Sequence, residues 1–144
     1  MNLRSPLQAL LITLAALLAG AAHGQDQQDA NERQPTFVLV HGTFQWGGQW
    51  DALAVLLRDA GLPVFAPTLT GLGEKEHLLS KQTGLSTHIE DVANFIEWRD
   101  LREVVLVAHS YGGAVITGVA DRLGDRIAHV VFMDTVPMNH GENL

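Results

Sequence analysis

The sequence predicts an α/β fold for residues 36–144, a parallel sheet with helices on both faces. Three observations carry this. Short β-branched and apolar runs at Thr36–Val40, Leu62–Phe65, Glu103–Ala108 and Ile127–Met133 have the length and the weak polar alternation of strands covered on both sides. The segments between them repeat their apolar residues at helical spacing. Strict alternation of the two kinds gives parallel strands joined by right-handed crossovers, with the spatial order 2-1-3-4.

The first strand ends at His41-Gly42, and a loop over 43–48 with two glycines and Trp46 follows. Gln49–Ala60 places Trp50, Leu53, Ala54, Leu57 and Ala60 on one helical face, which makes Trp50 a core residue, and Gly61 is suited to end that helix. Leu62–Phe65 reads as a strand despite Pro63, and Pro67 closes it. Thr68–Leu85, with Gly71, Gly73 and Gly84, is too long for a passive connection and reads as functional or capping. Thr87-His88-Ile89-Glu90 fits a capping box, and Ile89, Val92, Ala93 and Ile96 carry the helix to about Trp98. Beyond the third strand, Ile116, Val119, Ala120 and Leu123 line one helical face closed by Gly124.

Residues 1–24 have the three-part layout of a secretory signal peptide: Arg4 near the start, the apolar run Leu7–Leu18, then small residues to Gly24. The run is shorter than the roughly 20 residues of a membrane span. Polar residues 25–35 read as a linker, and the protein is expected to be exported, periplasmic or secreted. The chain contains no cysteine, so neither disulfides nor thiolate zinc sites are available to it. A net charge of −7 without a basic cluster argues against nucleic acid and anionic membrane surfaces as partners. No metal-ligand spacing, P-loop or complete dinucleotide fingerprint is present; Gly71-Leu72-Gly73 lacks the third glycine and the following helix. No metal or cofactor is therefore expected.

The chemistry centres on Val104–Gly113, where a buried strand breaks at Ser110 and a small-residue helix begins at once. This is the pattern of a nucleophile elbow: the turn lifts the hydroxyl above the sheet, and Ala108 and Gly112 allow strand and helix to crowd together. A serine capping a helix in an ordinary dinucleotide-type unit is the structural alternative. Both Ser110 and His41–Phe44 fall at carboxyl ends of strands, where α/β proteins place their sites. The amide of Tyr111, with that of Thr43 or Phe44, would then form an oxyanion hole, and Gly42 permits the close approach. His41 reads as a structural residue of the loop, because a catalytic base is expected later in the chain.

His41-Gly42, the stretch Pro67–Gly73, and Ala108-His109-Ser110-Tyr111-Gly112-Gly113 together resemble the α/β-hydrolase superfamily. Val115–Arg122 and Val131–Pro137 are similar to its bacterial esterase-like members, relatives of plant hydroxynitrile lyases and salicylate esterases. The likeness runs from about Thr36 to the C-terminus and corresponds to the N-terminal half of that fold. Ala108 departs from the pattern, which has glycine there. The resemblance implies hydrolysis of a small carboxylic ester or related acyl compound, with Ser110 as nucleophile and Gly112 and Gly113 as elbow glycines. It also disfavours dehalogenase and epoxide hydrolase chemistry, whose enzymes carry aspartate at the elbow. Asp134, closing the fourth strand, is the candidate acid, a position used by some members of the superfamily. The family's histidine comes from near its last strand, and the positions after Ser110 offer only His129, read as lying inside a buried strand, and His140 in the tail. His77 and His88 read as solvent-facing or lining residues. The chain alone is accordingly expected to be inactive, either as a partial hydrolase or as a non-catalytic remnant or interaction module, with its fourth strand a bare edge open to self-association.

Overall fold

In a computed structural model the described residues are 34–135, 137 and 138. The expected signal peptide at 1–24, nearly all of the linker and His140 lie outside them. The strands are β1 (Thr36–Val40), β2 (Val64–Phe65), β3 (Val104–His109) and β4 (Ile127–Met133). The helices are α1 (Asp51–Asp59), α2 (Leu85–Trp98) and α3 (Gly112–Arg122). All strand pairs are parallel, in the predicted order β2-β1-β3-β4.

The strand period of two separates two cores. Val38, Val40, Val104, Leu106 and Ala108 point to the side covered by α2 and α3, where Val92, Ile96, Val115, Ile116 and Val119 meet them. Leu39, Val105 and Val107 point to the other side, against Trp50, Ala54 and Val64. Helices on both faces, and a core position for Trp50, follow the sequence.

Four details differ from expectation. β2 is only two residues long; Pro63 has no N–H to give, and its carbonyl instead accepts the Phe37 amide at 2.8 Å. Gly84, not Thr87, is the residue before α2; the Thr87 hydroxyl, one turn inside, accepts the Gly84 amide at 3.3 Å. The Thr68–Leu85 stretch contains a 3-10 segment, Gly73–Leu78. Finally, β4 is not a buried strand. Ile127, Val130 and Phe132 pack on the α2–α3 side, while His129 is exposed and Val131 and Met133 are 41% and 43% exposed. Those three lie on the face that α1 covers only as far as β3, so identical-looking apolar runs acquire different burial. Among the described residues the outer edge of β4 is unpaired, and no helix is long and apolar enough to cross a membrane.

Candidate active site

Ser110 opens the two-residue turn, Ser110-Tyr111, between β3 and α3, with φ of +51°, a left-handed conformation that costs a side-chain-bearing residue about 1–2 kcal/mol. The turn is closed tightly. The Ser110 carbonyl accepts the Gly113 amide at 2.9 Å, and the Ser110 amide points at the Met133 carbonyl of β4, 3.4 Å away. Gly112 is required by contact: a Cβ there would stand 2.8 Å from the His41 carbonyl oxygen and 3.2 Å from the Ala108 Cβ. A Cβ on Gly113 would run into the Thr135 side chain. With glycine at 112, the Ala108 Cβ fits beneath the start of the helix. The Ser110 side chain is exposed, and the Tyr111 amide precedes the first closed turn of α3, where N–H groups have no intrahelical partner.

The loop after β1 comes up against this turn. A Cβ on Gly42 would lie 3.1 Å from the Ser110 Cβ, so Thr43 and Phe44 begin directly beside the serine. Phe44 also has a left-handed backbone, with φ of +61°. Gln45 fixes the loop by accepting the Gly42 amide at 3.1 Å, and its Oε1 is 3.4 Å from His109 Nδ1. The Gln49 amide nitrogen lies 3.4 Å from the same ring atom.

His41 is wholly buried beneath the loop and committed at both nitrogens. Nδ1 donates to the Gly42 carbonyl at 2.9 Å, and Nε2 accepts the Leu69 amide at 3.0 Å. Burial pushes its pKa below that of a free histidine, opposed by the bond to the Gly42 carbonyl. It joins the first loop to the second and is structural, as the sequence suggests.

His88, read as solvent-facing or lining, does not face solvent. It is buried on the first turns of α2, donating from Nε2 to the Thr70 carbonyl at 2.9 Å and accepting the Tyr111 hydroxyl at Nδ1, 2.7 Å away. Asp91, one turn later, holds Thr70 by its amide at 2.6 Å and its hydroxyl at 2.8 Å. Burial raises the Tyr111 pKa, so the phenol stays protonated and able to donate. The spacing of His88 and Asp91 shows that they share a helical face, yet their partners are distant in sequence and carry no local signal. His77 is exposed as expected.

Asp134 follows Met133, which pairs with His109, so it stands level with Ser110 on the neighbouring strand. It is exposed, with φ of +48°. The structure thus gathers Thr43, Phe44, Ser110, Tyr111 and Asp134 at one end of the sheet. Among the described residues no histidine hydrogen-bonds the Ser110 hydroxyl, and no group of three His, Asp or Glu side chains could hold a metal ion.

A parallel sheet in this strand order, with a left-handed serine turn between strand and helix, defines an α/β-hydrolase core. The chain belongs to the alpha/beta hydrolase family, whose model matches residues 37–143. It is similar to a carbendazim hydrolyzing esterase of Nocardioides, 47% identical over 75% of this chain and 45% of that protein. It is also similar to methyl jasmonate esterase 1 of Vitis vinifera, 32% identical over 71% of this chain and 40% of that one. Among solved structures, an extracellular α/β-hydrolase from Paenibacillus, described as sharing structural and functional homology with tobacco salicylic acid binding protein 2, is 35% identical. It superposes with a TM-score of 0.66, covering 72% of this chain and 42% of that one. Polyneuridine aldehyde esterase gives a TM-score of 0.68 at 28% identity, with 76% and 44% covered. The chain spans less than half the length of these relatives.

Proposed function

We propose that the chain supplies the nucleophile half of a serine-dependent carboxylic ester hydrolase acting on small neutral esters. The observation that carries this reading is the exposed, left-handed Ser110 pressed against Gly42 at the mouth of the first loop. The Ser110 Oγ attacks the ester carbonyl carbon and passes its proton to a base. The carbonyl oxygen becomes an oxyanion held by the Tyr111 amide and that of Thr43 or Phe44. The carbon–oxygen bond to the alcohol then breaks, the alcohol leaves with the proton from the base, and water releases the acid from the acyl-serine. Asp134 is the candidate acid. The base is a histidine outside the described residues, because His41 and His88 are occupied at both nitrogens, His109 turns its Nδ1 to Gln45 and Gln49, and His77 and His129 belong to other surfaces. No cofactor enters this chemistry. The esterase relatives support the substrate class. We further propose export by the N-terminal 24 residues and self-association through the free β4 edge.

Among the described residues no histidine bonds the Ser110 hydroxyl, and the second reading is a non-catalytic remnant or interaction module that keeps the elbow. Acetylation of Ser110 by excess p-nitrophenyl acetate, read by mass spectrometry of its peptide with Ser110→Ala as control, separates the two. A partial hydrolase accumulates the acetyl group at Ser110 over other serines, while the residual turnover of about 10³–10⁴-fold over water that oxyanion donors and binding give without a full triad is the same in both proteins. No acetylation of Ser110 above that of other serines rejects it as nucleophile.

A further inference from the structure

We infer that His88 is a positioning residue for the proposed ester hydrolysis: through the Tyr111 phenol it holds the Tyr111 amide in the direction an oxyanion donor needs. The inference rests on the hydrolase reading of Ser110 and adds to it a residue that acts through another. An amide donor is effective when its peptide plane is fixed before the charge develops. The plane in question joins Ser110 to Tyr111. Being trans and planar, it turns as one body, with the carbonyl on one side and the N–H on the other. On the carbonyl side the Gly113 amide holds it, 2.9 Å from the Ser110 oxygen. The Ser110 backbone adds no support of its own, since a φ of +51° persists where the surroundings enforce it. On the nitrogen side the plane ends at the Tyr111 Cα, and there the side chain is the anchor.

That anchor is a series of short hydrogen bonds ending on fixed ground. The Tyr111 hydroxyl donates to His88 Nδ1 at 2.7 Å, and the two rings meet edge to face, with 5.6 Å between centroids and 86° between planes. His88 Nε2 donates to the Thr70 carbonyl at 2.9 Å, which makes Nδ1 the acceptor in the neutral ring. Thr70 is held at its amide and hydroxyl by Asp91, one turn further along α2. The preceding residue, Leu69, is held at its amide by His41 Nε2. His88 is 8% exposed, so both of its bonds lie away from water, where an unmade one is costly. A buried histidine needs partners of some kind; this one uses both nitrogens to join the second loop to the residue after the nucleophile.

Two substitutions separate the two bonds. In His88→Asn, Oδ1 stands near the place of Nδ1 and can accept the Tyr111 hydroxyl. In His88→Gln, the amide nitrogen stands near the place of the ring Nε2 and keeps the Thr70 bond alone. Acetylation of Ser110 by p-nitrophenyl acetate is timed by mass spectrometry in the 144-residue chain. His88→Phe, His88→Gln and Tyr111→Phe are expected to react about tenfold more slowly than wild type, short of the roughly 10²–10³-fold cost of losing an oxyanion donor outright. His88→Asn is expected to recover most of the rate, and His88→Phe combined with Tyr111→Phe to be no slower than either alone. Tyr111 is the only tyrosine in the chain, so labelling with nitrogen-15 tyrosine gives one backbone amide. Its relaxation is expected to show that amide rigid in wild type and His88→Asn, and mobile in His88→Phe and His88→Gln. A wild-type chain that does not acetylate Ser110 defeats the hydrolase reading and the inference with it. A reactive Ser110 that acetylates at one rate in wild type and Tyr111→Phe overturns the inference alone. So do equal rates in His88→Asn and His88→Gln, or a Tyr111 amide equally rigid in every variant, either of which would make His88 a support for the loop only.

Discussion

Replacing His41 tests how the site is held. The ring is fully buried and bonded to the backbone at both nitrogens. Truncation to alanine leaves the Leu69 amide unpaired, at about 1–3 kcal/mol, and a cavity at a position where large-to-small changes cost about 2–5 kcal/mol. His41→Ala is expected to lose about 4 kcal/mol, a large part of a single domain's stability. The pH dependence is more specific. The folded pKa of His41 lies below that of an unfolded histidine because burial penalises the charged ring. The unfolded chain therefore binds the extra proton first. The stabilisation is complete above pH 6.5, the ordinary histidine value, and is lost as pH falls toward the folded pKa. One proton gives a slope of at most about 1.4 kcal/mol per pH unit. His88, Glu74 and Lys75 are the charged or titratable groups nearest enough to modify it. Urea denaturation of wild type and His41→Gln from pH 7.5 to 5 measures the difference, since glutamine carries no charge at any of these values. Parallel stability curves for the two proteins would refute the argument.

Two other perturbations bear on the elbow. Ser110→Gly removes the Cβ from a left-handed residue and is expected to raise the melting temperature, by about 1 kcal/mol of stability, while abolishing any Ser110-dependent turnover; an unchanged or lower melting temperature counts against strain at the turn. Gly112→Ala places a methyl group against two backbone carbonyls that cannot swing aside and is expected to cost about 1–3 kcal/mol by calorimetry, whereas a cost near zero would mean that α3 is free to move away from β1.

The topology was legible because strands and helices alternate with unambiguous periods, and Ser110 was legible because a strand-to-helix break leaves it little alternative. The limits are equally physical. Helix α2 starts two residues before the expected Thr87 cap because Gly84 ends the extended loop and the Thr87 hydroxyl reaches back to it. His88 read only as solvent-facing or lining because its partners, Thr70 and Tyr111, are 18 and 23 residues away. His129 looked buried because Val130, Val131 and Phe132 around it resemble β3, yet burial depends on neighbours on both sides, and β4 has β3 alone among the described residues. Gln45 announced nothing by its type; its place beside the elbow comes from the fold of the loop.

The seven residues of β4, Ile-Ala-His-Val-Val-Phe-Met, contain no proline, no glycine and no formally charged side chain. Among the described residues they lie along an unpaired edge, with Val131 and Met133 41% and 43% exposed. A window of that composition has the properties of a cross-β nucleus, and its flanking charges, Asp125 and Arg126 on one side and Asp134 on the other, are the gatekeepers available to it. The colloidal behaviour of the chain therefore depends on how completely this one strand is shielded, a demand quite separate from the chemistry at the end of the neighbouring strand.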